Sequence, residues 1–484
     1  MTFVCLAVVW LTGFGLVRGM FPRPLEWSLH NVLLLSLGIG AGAGIASCLW
    51  FLTLLLAGPN FALLASVTGG AAIAALAFAL LTRRQGTLLA WAEGPEVPGY
   101  LPGLFLLAIA LAATTFVILV VSNPHGEQAA WSIWNLRARF LFRGGTLWRD
   151  AFSNDLSWSH PDYPLLLPGL IALCWKLAGH ESTGAPIAIA LLFTMGTAGV
   201  LTGALGALRG KTQALVGGTL LLGTTSFIAL SAAEYGDVPL SFYILSTVAL
   251  LCLQDRHPED LRFSALAGLM AGFAAWTRND GLIFLGAVIV ARVLAMVRVR
   301  ERAGFTPLAQ MLRLIAGLAA PLAVVLFFKL RVGGASEFRS AKPAVVLQHL
   351  ADPGRWILTL EGLVVMLFAM GGFLIPIVLV LALYWYLVRF QVDARDRAAL
   401  ATGAIALGLT LAMQMLVDLL FAGNLGVEIN TSFERYLLQL WPAGVLLFFL
   451  AASPLRLTAA EKPAPKGKVS RKAPKPSRRV AETR

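Results

Sequence analysis

Apolar runs of roughly 20 residues, divided by short polar loops, recur along the chain as far as residue 452. That length matches a bilayer crossed by an α-helix. The runs fall at about 1–17, 32–57, 61–82, 101–122, 185–208, 212–232, 238–254, 263–277, 280–297, 307–330, 362–388, 398–421 and 437–452. A transmembrane barrel would instead show segments of about ten residues with alternating polarity. The pattern therefore predicts an all-α integral membrane protein with about 13 transmembrane helices and interfacial helices in the first large outer loop. One further stretch, "YPLLLPGLIALCWKLA" (163–178), is short for a crossing and holds two prolines and a lysine. It is expected to lie in the interface or dip into it, as an amphipathic floor under a site. The first run, "TFVCLAVVWLTGFGLV", lacks a basic flank and a small-residue cleavage site, and reads as a retained span.

Hydrophobic residues make up 58% of the chain and charged residues 13%, which excludes an ordinary soluble domain. The formal charge of +13 is concentrated at the end: residues 453–484 hold ten Lys/Arg against two Glu. This Pro- and Lys-rich tail cannot bury a core and is expected to be disordered and cytoplasmic, beside anionic headgroups rather than on nucleic acid. "TRR" (82–84), "RGK" (209–211), "QDRHPEDLR" (254–262), "RVRER" (298–302) and "RFQVDARDR" (389–397) then fall on the same side, provided 163–178 does not cross. The N-terminus is placed outside. Four segments follow: N-terminal helices (1–122), an outer loop (123–184), a transmembrane catalytic core (185–452) with outer loops at 331–361 and 422–436, and the tail (453–484). Cys5, Cys48, Cys174 and Cys252 lie in apolar runs without metal-ligand or disulfide spacing, and read as packing residues.

The outer loops carry arginines against the positive-inside trend, and binding an anion is one physical reason for that. In the first loop Trp131, Trp134, Leu136 and Phe140 fall near helical spacing while Arg137, Arg139 and Arg143 share the remaining surface. The expectation is an interfacial amphipathic helix whose tryptophans and arginines anchor it, or whose Arg137 and Arg139 forks hold a lipid phosphate. "SWSHPDYPLLLP" (157–168) sets His160, Asp162 and Tyr163 at the lip of an apolar segment, its prolines fixing the turn. "SAAEYGDVPLSFY" (231–243) sets Glu234 and Asp237 where one helix surfaces and the next re-enters. Asp237 reads as an N-cap ahead of Pro239, as an acid facing a polar cavity, or as both, since the two roles are not exclusive. "WTRNDG" (276–281) places Arg278 and Asp280 at the ends of adjacent helices, as a local pair or a ligand clamp. Arg339, Lys342 and His349 in the second loop, and Arg435 beside Glu434, add charge on the same face. Gln414 and Asp418 are the clearest polar residues inside a span.

Taken in order, the Trp-rich first loop, "HPDYPLLLP", "AEYGDVPLSFY", "WTRNDG" and "TSFERYLLQLWP" resemble the polytopic glycosyltransferases of the GT-C superfamily. The nearest pattern is the bacterial branch similar to protein O-mannosyltransferases and lipid A aminoarabinose transferases. The likeness runs from about residue 123 to 452 and rests on the order of five loose motifs. It implies a polyprenyl-phosphate sugar donor and a glycan, lipid or protein acceptor. Transfer would occur with inversion on the extracytoplasmic face of a bacterial inner membrane, in cell-envelope modification. Such transfer needs a general base for the acceptor hydroxyl and cations for the departing phosphate. The resemblance gives a first-loop acid the role of base or metal-facing carboxylate. Relatives commonly put an aspartate just before the loop helix, whereas "HGEQAAWSIWN" offers Glu127, with Gly126 or Ala129 where the aspartate is expected. Glu127 takes the base role, Asp237 supports the cavity, and His160 meets the phosphate with Asp162 and Tyr163 ordering it or touching the sugar. Arg435 is the first choice for closing over the phosphate. No cofactor is implied with certainty: paired acids admit a divalent metal, but no ligand-spaced motif is present. A polyprenyl-linked glycan polymerase or ligase shares the arginine-rich loops; a transporter would instead show inverted repeats and midplane charges.

Overall fold

The computed structural model describes residues 1–21, 29–82, 97–299, 307–334, 342–372 and 375–453. Arg83, Arg84, Arg300, Arg302, Arg339 and all of the tail beyond Ser453 lie outside the described residues. Among those described, regular structure is helical, with one isolated bridge between Phe390 and Ala452. Helices α1 (Thr2–Met20), α2 (Leu29–Ala57), α3 (Phe61–Leu81) and α4 (Tyr100–Ser122) precede the first large loop. That loop folds as a π-helical turn (Ala130–Trp134), α5 (Asn135–Arg143) and two 3₁₀ turns (Gly145–Phe152, Asn154–Ser159). Then come α6 (Leu166–Ala178), α7 (Gly184–Arg209), α8 (Lys211–Leu222), α9 (Thr225–Ala232), α10 (Asp237–Arg256), α11 (Arg262–Thr277), α12 (Asn279–Val299) and α13 (Pro307–Arg331). The chain finishes with α14 (Pro343–Ala351), α15 (Pro353–Ala369), α16 (Ile377–Val388), α17 (Arg397–Phe421) and α18 (Leu425–Ala451).

Nine of these helices are long and apolar enough to cross a membrane, or ten if α8 and α9 form one span bent by 59°. The chain is an all-α integral membrane protein. The count falls short of thirteen for local reasons. The run at 212–232 breaks at Gly223–Thr224, and α11 has 16 residues. The run at 362–388 is shared between α15 and α16, where Gly371 and Gly372 take positive φ. The run at 437–452 belongs to α18, whose first half carries "EINTSFERY".

Helix α10 is apolar on every side, and all residues from Asp237 to Gln254 are buried among α7, α11, α17 and α18. Helices α11 and α13 pack closely because Gly268 and Gly317 face each other's backbones: a Cβ at Gly268 would meet Leu314 O at 1.9 Å, and one at Gly317 would meet Ala265 O at 1.8 Å. Asn424 starts α18 by accepting from Val427 N at 3.3 Å, and Asp352 starts α15 by accepting from Gly354 N at 2.8 Å.

Two expectations about the first loop are corrected. Residues 166–175 of α6 are buried throughout, against α1, α2, α5 and α7, so α6 is not a surface amphipathic floor. At 13 residues, roughly 20 Å, it is short of a ~30 Å hydrocarbon core. Helix α5 is likewise packed on α6 rather than laid free on a surface, with its Arg137 and Trp134 of the preceding π-helical turn each 1% exposed. Trp148 and Phe152 of the 3₁₀ turn lock the loop down by inserting edge-on against Phe51 of α2 and Phe328 of α13.

The two ends of the bundle differ. At one, buried Asp396 lies between Arg256 (2.7 Å) and Arg209 (3.7 Å), and Gln213 donates to Ser453 O. The basic loops 209–211, 254–262 and 389–397 and the start of the tail therefore share that end. At the other, the starts of α10, α12 and α18 meet the ends of α13 and α17 under the first loop.

Candidate functional site

Asp237 opens α10 with Val238–Pro239 behind it, but it caps nothing: Gly236 is the N-cap and makes no side-chain bond. Its carboxylate is fully buried and satisfied by charge. Arg278 Nη1 lies 2.8 Å from Oδ1, Arg435 Nη2 donates to Oδ2 at 2.9 Å, and Gln439 Nε2 donates to Oδ1 at 2.7 Å. A buried carboxylate left without such partners would be strongly destabilising. Arg278 also holds Asp280 at 2.8 Å, so the local pair foreseen in "WTRNDG" exists within a larger network. Each guanidinium faces an aromatic ring, Arg278 over Tyr163 at 5.8 Å and Arg435 over Tyr235 at 4.9 Å. Gln439 is held in turn by Gln414 of α17, at 2.7 Å, and Tyr436 donates to Asp418 at 3.1 Å.

The "SHPDYP" turn forms the facing wall. His160 has a left-handed backbone (φ 51°), a strained conformation for a non-glycine residue, and its ring stacks on Tyr163 at 4.7 Å. Arg137 fixes that turn, its Nη2 donating to the carbonyls of Ser159 and His160. Arg139 and Arg143 are bound by Glu181, beyond α6. Arg137 thus serves the backbone and Arg139 a carboxylate, in place of the exposed phosphate forks expected from their spacing. Asp162 accepts from Asn279 Nδ2 at 2.7 Å, while Lys329 donates to its carbonyl at 2.6 Å and its carboxylate at 3.2 Å. His349 and Arg355 are turned to backbone carbonyls at the end of α17. Lys342 is exposed.

A cavity of about 690 Å³ opens between these walls. His160, Asp162, Tyr163, Arg278 and Arg435 line it, as do Trp134, Asp280 and Asp418, with Asp237 directly behind. Glu127 is not among its lining residues; it is exposed and accepts from Asn123 at 3.1 Å. Ala129, one of the positions where the resemblance expects an aspartate, does line it. Asn279, Lys329 and Tyr436 also line the cavity and were missed. Lys329 ends an apolar run, where a lysine reads as snorkelling, and its partner lies 167 residues away. Among the described residues no group of three or more His, Cys, Asp or Glu is placed to hold a metal ion.

The first loop is fastened by its own backbone. Glu127 N donates to Ala233 O at 3.2 Å, and Gly126 (φ 69°) passes so close that a Cβ would meet Ala233 O at 2.7 Å. Glu234, in the turn between α9 and α10, is buried, left-handed (φ 59°) and bonded by Asn135 at 3.0 Å. Burial pushes its carboxyl up to about 7 against the Asn135 hydrogen bond. No protein-family model matches this chain, and no curated protein or solved structure is significantly similar to it.

Proposed function

We propose that the chain is a glycosyltransferase of the GT-C type that moves a sugar from a polyprenyl-phosphate donor to an acceptor on the extracytoplasmic face of a bacterial inner membrane. One observation carries the reading: Arg278 and Arg435 are fixed side by side on buried Asp237 and both line the cavity. Cations oriented before substrate arrives stabilise the negative charge that develops on a departing phosphate without reorganising during the step. Arg278 Nε is buried and makes no hydrogen bond among the described residues, so Arg278 acts on that phosphate through its charge. Leu282, Ile283, Leu330 and Phe421 give the cavity an apolar side suited to the first units of a lipid carrier. His160, Asp162 and Tyr163 form the wall nearest the sugar. The thirteen-span threading, with the N-terminus outside and the tail inside, belongs to this proposal; it is supported by the basic loops sharing the end opposite the cavity.

The 59° bend between α8 and α9 is the feature that favours a transporter instead, since broken helices are common in that class. Radiolabelled polyprenyl-phosphate sugars presented to the protein in lipid nanodiscs separate the two. A glycosyltransferase releases polyprenyl phosphate, and Arg278→Ala or Arg435→Ala slows release by about 10²-fold or more. Absence of turnover across donor sugars, with uptake of solute into vesicles, would reverse the assignment. A lipid-linked polymerase or ligase would release carrier from a glycan-loaded donor but leave single-sugar donors intact.

A further inference from the structure

Inverting transfer needs a carboxylate that is ionised before the step and able to take a proton during it. Most acids at the cavity are engaged. Asp237 is enclosed by two guanidiniums and an amide, Asp280 is paired with Arg278, and Asp162 is held by Lys329 and Asn279. Protonating any of these three would leave a half-buried or buried cation without its counter-charge. Asp418 holds the Tyr436 hydroxyl. Glu428 is different: among the described residues it has no cationic partner, and its carboxylate accepts from Ser432 Oγ at 3.0 Å.

Its placement fits the task. Glu428, Thr431, Ser432 and Arg435 line the cavity at i, i+3, i+4 and i+7 of one unbroken helix, so they form a single stripe facing the same space. Seven residues of α-helix separate Glu428 from Arg435 by about 10 Å. An in-line displacement, with the base hydrogen-bonded to the attacking hydroxyl and a cation to the departing oxygen, spans a similar distance. Glu428 also lies in the first turn of α18, where the helix dipole favours a negative side chain. That location alone would explain a glutamate on an exposed helix start; it does not explain one aimed into the cavity two turns from the phosphate-facing arginine.

We propose that Glu428, rather than Glu127, is the general base, an inference that rests on the glycosyltransferase reading of this cavity. The acceptor O–H proton passes to a Glu428 carboxylate oxygen as the hydroxyl oxygen attacks the anomeric carbon. The bond from that carbon to the phosphate oxygen breaks, and its electron pair stays on the phosphate, facing Arg278 and Arg435. The base is thereby supplied from the hairpin that opens α18, since Ala129 carries no carboxylate and the first loop's acid in the cavity, Asp162, is held by Lys329 and Asn279.

The test is single-turnover transfer from a radiolabelled polyprenyl-phosphate sugar by wild type, Glu428→Gln, Glu428→Asp and Glu127→Gln, each checked for an unchanged melting temperature. Glu428→Gln should lower kcat by about 10²-fold or more while donor KM stays within about twofold, and should abolish the acidic limb of the kcat profile. Glu428→Asp should recover part of the rate, which a purely structural role would not give. Glu428→Gln turning over within about threefold of wild type overturns the inference, as does a loss confined to KM or one carried by Glu127→Gln instead. In those cases wild-type turnover leaves the glycosyltransferase reading standing. Wild type that turns over no such donor removes both.

Discussion

Asp237 is the residue on which the site's charge arrangement depends, because one fully buried carboxylate orients two guanidiniums. Asp237→Asn keeps the shape and removes the charge. It should cost about 3–5 kcal/mol, since Arg278 and Arg435 would repel each other with Asp280 as the remaining acid beside them. The readouts are thermal unfolding in detergent and donor turnover, and both should fall. A variant that unfolds like wild type would mean the arginines are not set by Asp237. Glu234 gives a pH dependence whose sign follows from its burial. A glutamate titrates at an ordinary 4.5 in an unfolded chain and at about 7 here. Its contribution is whole below about 4.5, declines as pH rises, and is gone once pH passes about 7. The difference is on the order of 3 kcal/mol. Melting temperature should therefore fall between pH 5 and pH 8 in wild type and stay flatter in Glu234→Gln. Charges were legible from sequence because few of them interrupt an apolar chain: Asp237, Arg278 and Arg435 stood out. Gln439 and Lys329 did not, since an amide or lysine near a span's end is ordinary until a distant partner is placed beside it.

At the scale of elements, the first loop is a folded lid of helical turns, and its attachment is a backbone fit. Gly126 needs both its positive φ and its missing Cβ where it passes Ala233. Gly126→Ala should cost about 1–3 kcal/mol locally, loosening 126–135 from the α9–α10 turn while the bundle stays folded. Limited proteolysis should then cut within 123–160 faster than in wild type, at an unchanged far-UV helical signal. Equal cutting rates would show the loop is held elsewhere. Shortness and prolines set 163–178 apart from the longer runs, and the helix there has 13 residues. Its surface character was misread because a 13-residue apolar helix has the same pattern whether it meets lipid or, as here, α1 and α2. The breaks between α8 and α9 and between α15 and α16 were equally hidden. Glycine in an apolar run signals either a kink or a close contact, and only the packing of Thr225 against Gly371, at 3.2 Å, distinguishes them.

For the whole molecule, two ionic clusters at opposite ends brace the bundle, and they make opposite demands on topology. The Asp396–Arg256–Arg209 cluster sits among the basic loops, and the Asp237 cluster under the large loop. If positive charge marks the cytoplasmic side, the first end is cytoplasmic and the cavity opens outside. The four native cysteines are all buried, so a cysteine introduced at a well-exposed position can be labelled over a low background. Glu127, exposed beside the cavity, and Arg395, 72% exposed at the other end, are suitable reporters. Glu127→Cys should react with a membrane-impermeant maleimide in intact spheroplasts, whereas Arg395→Cys should react only after permeabilisation. Reaction of both from the same side would leave the two clusters on one face, which a bundle with α10 running from Asp237 to Arg256 does not allow. The reversed result, Arg395→Cys outside and Glu127→Cys inside, would keep the fold but turn the cavity to the cytoplasm, where the extracytoplasmic transfer proposed here has no acceptor.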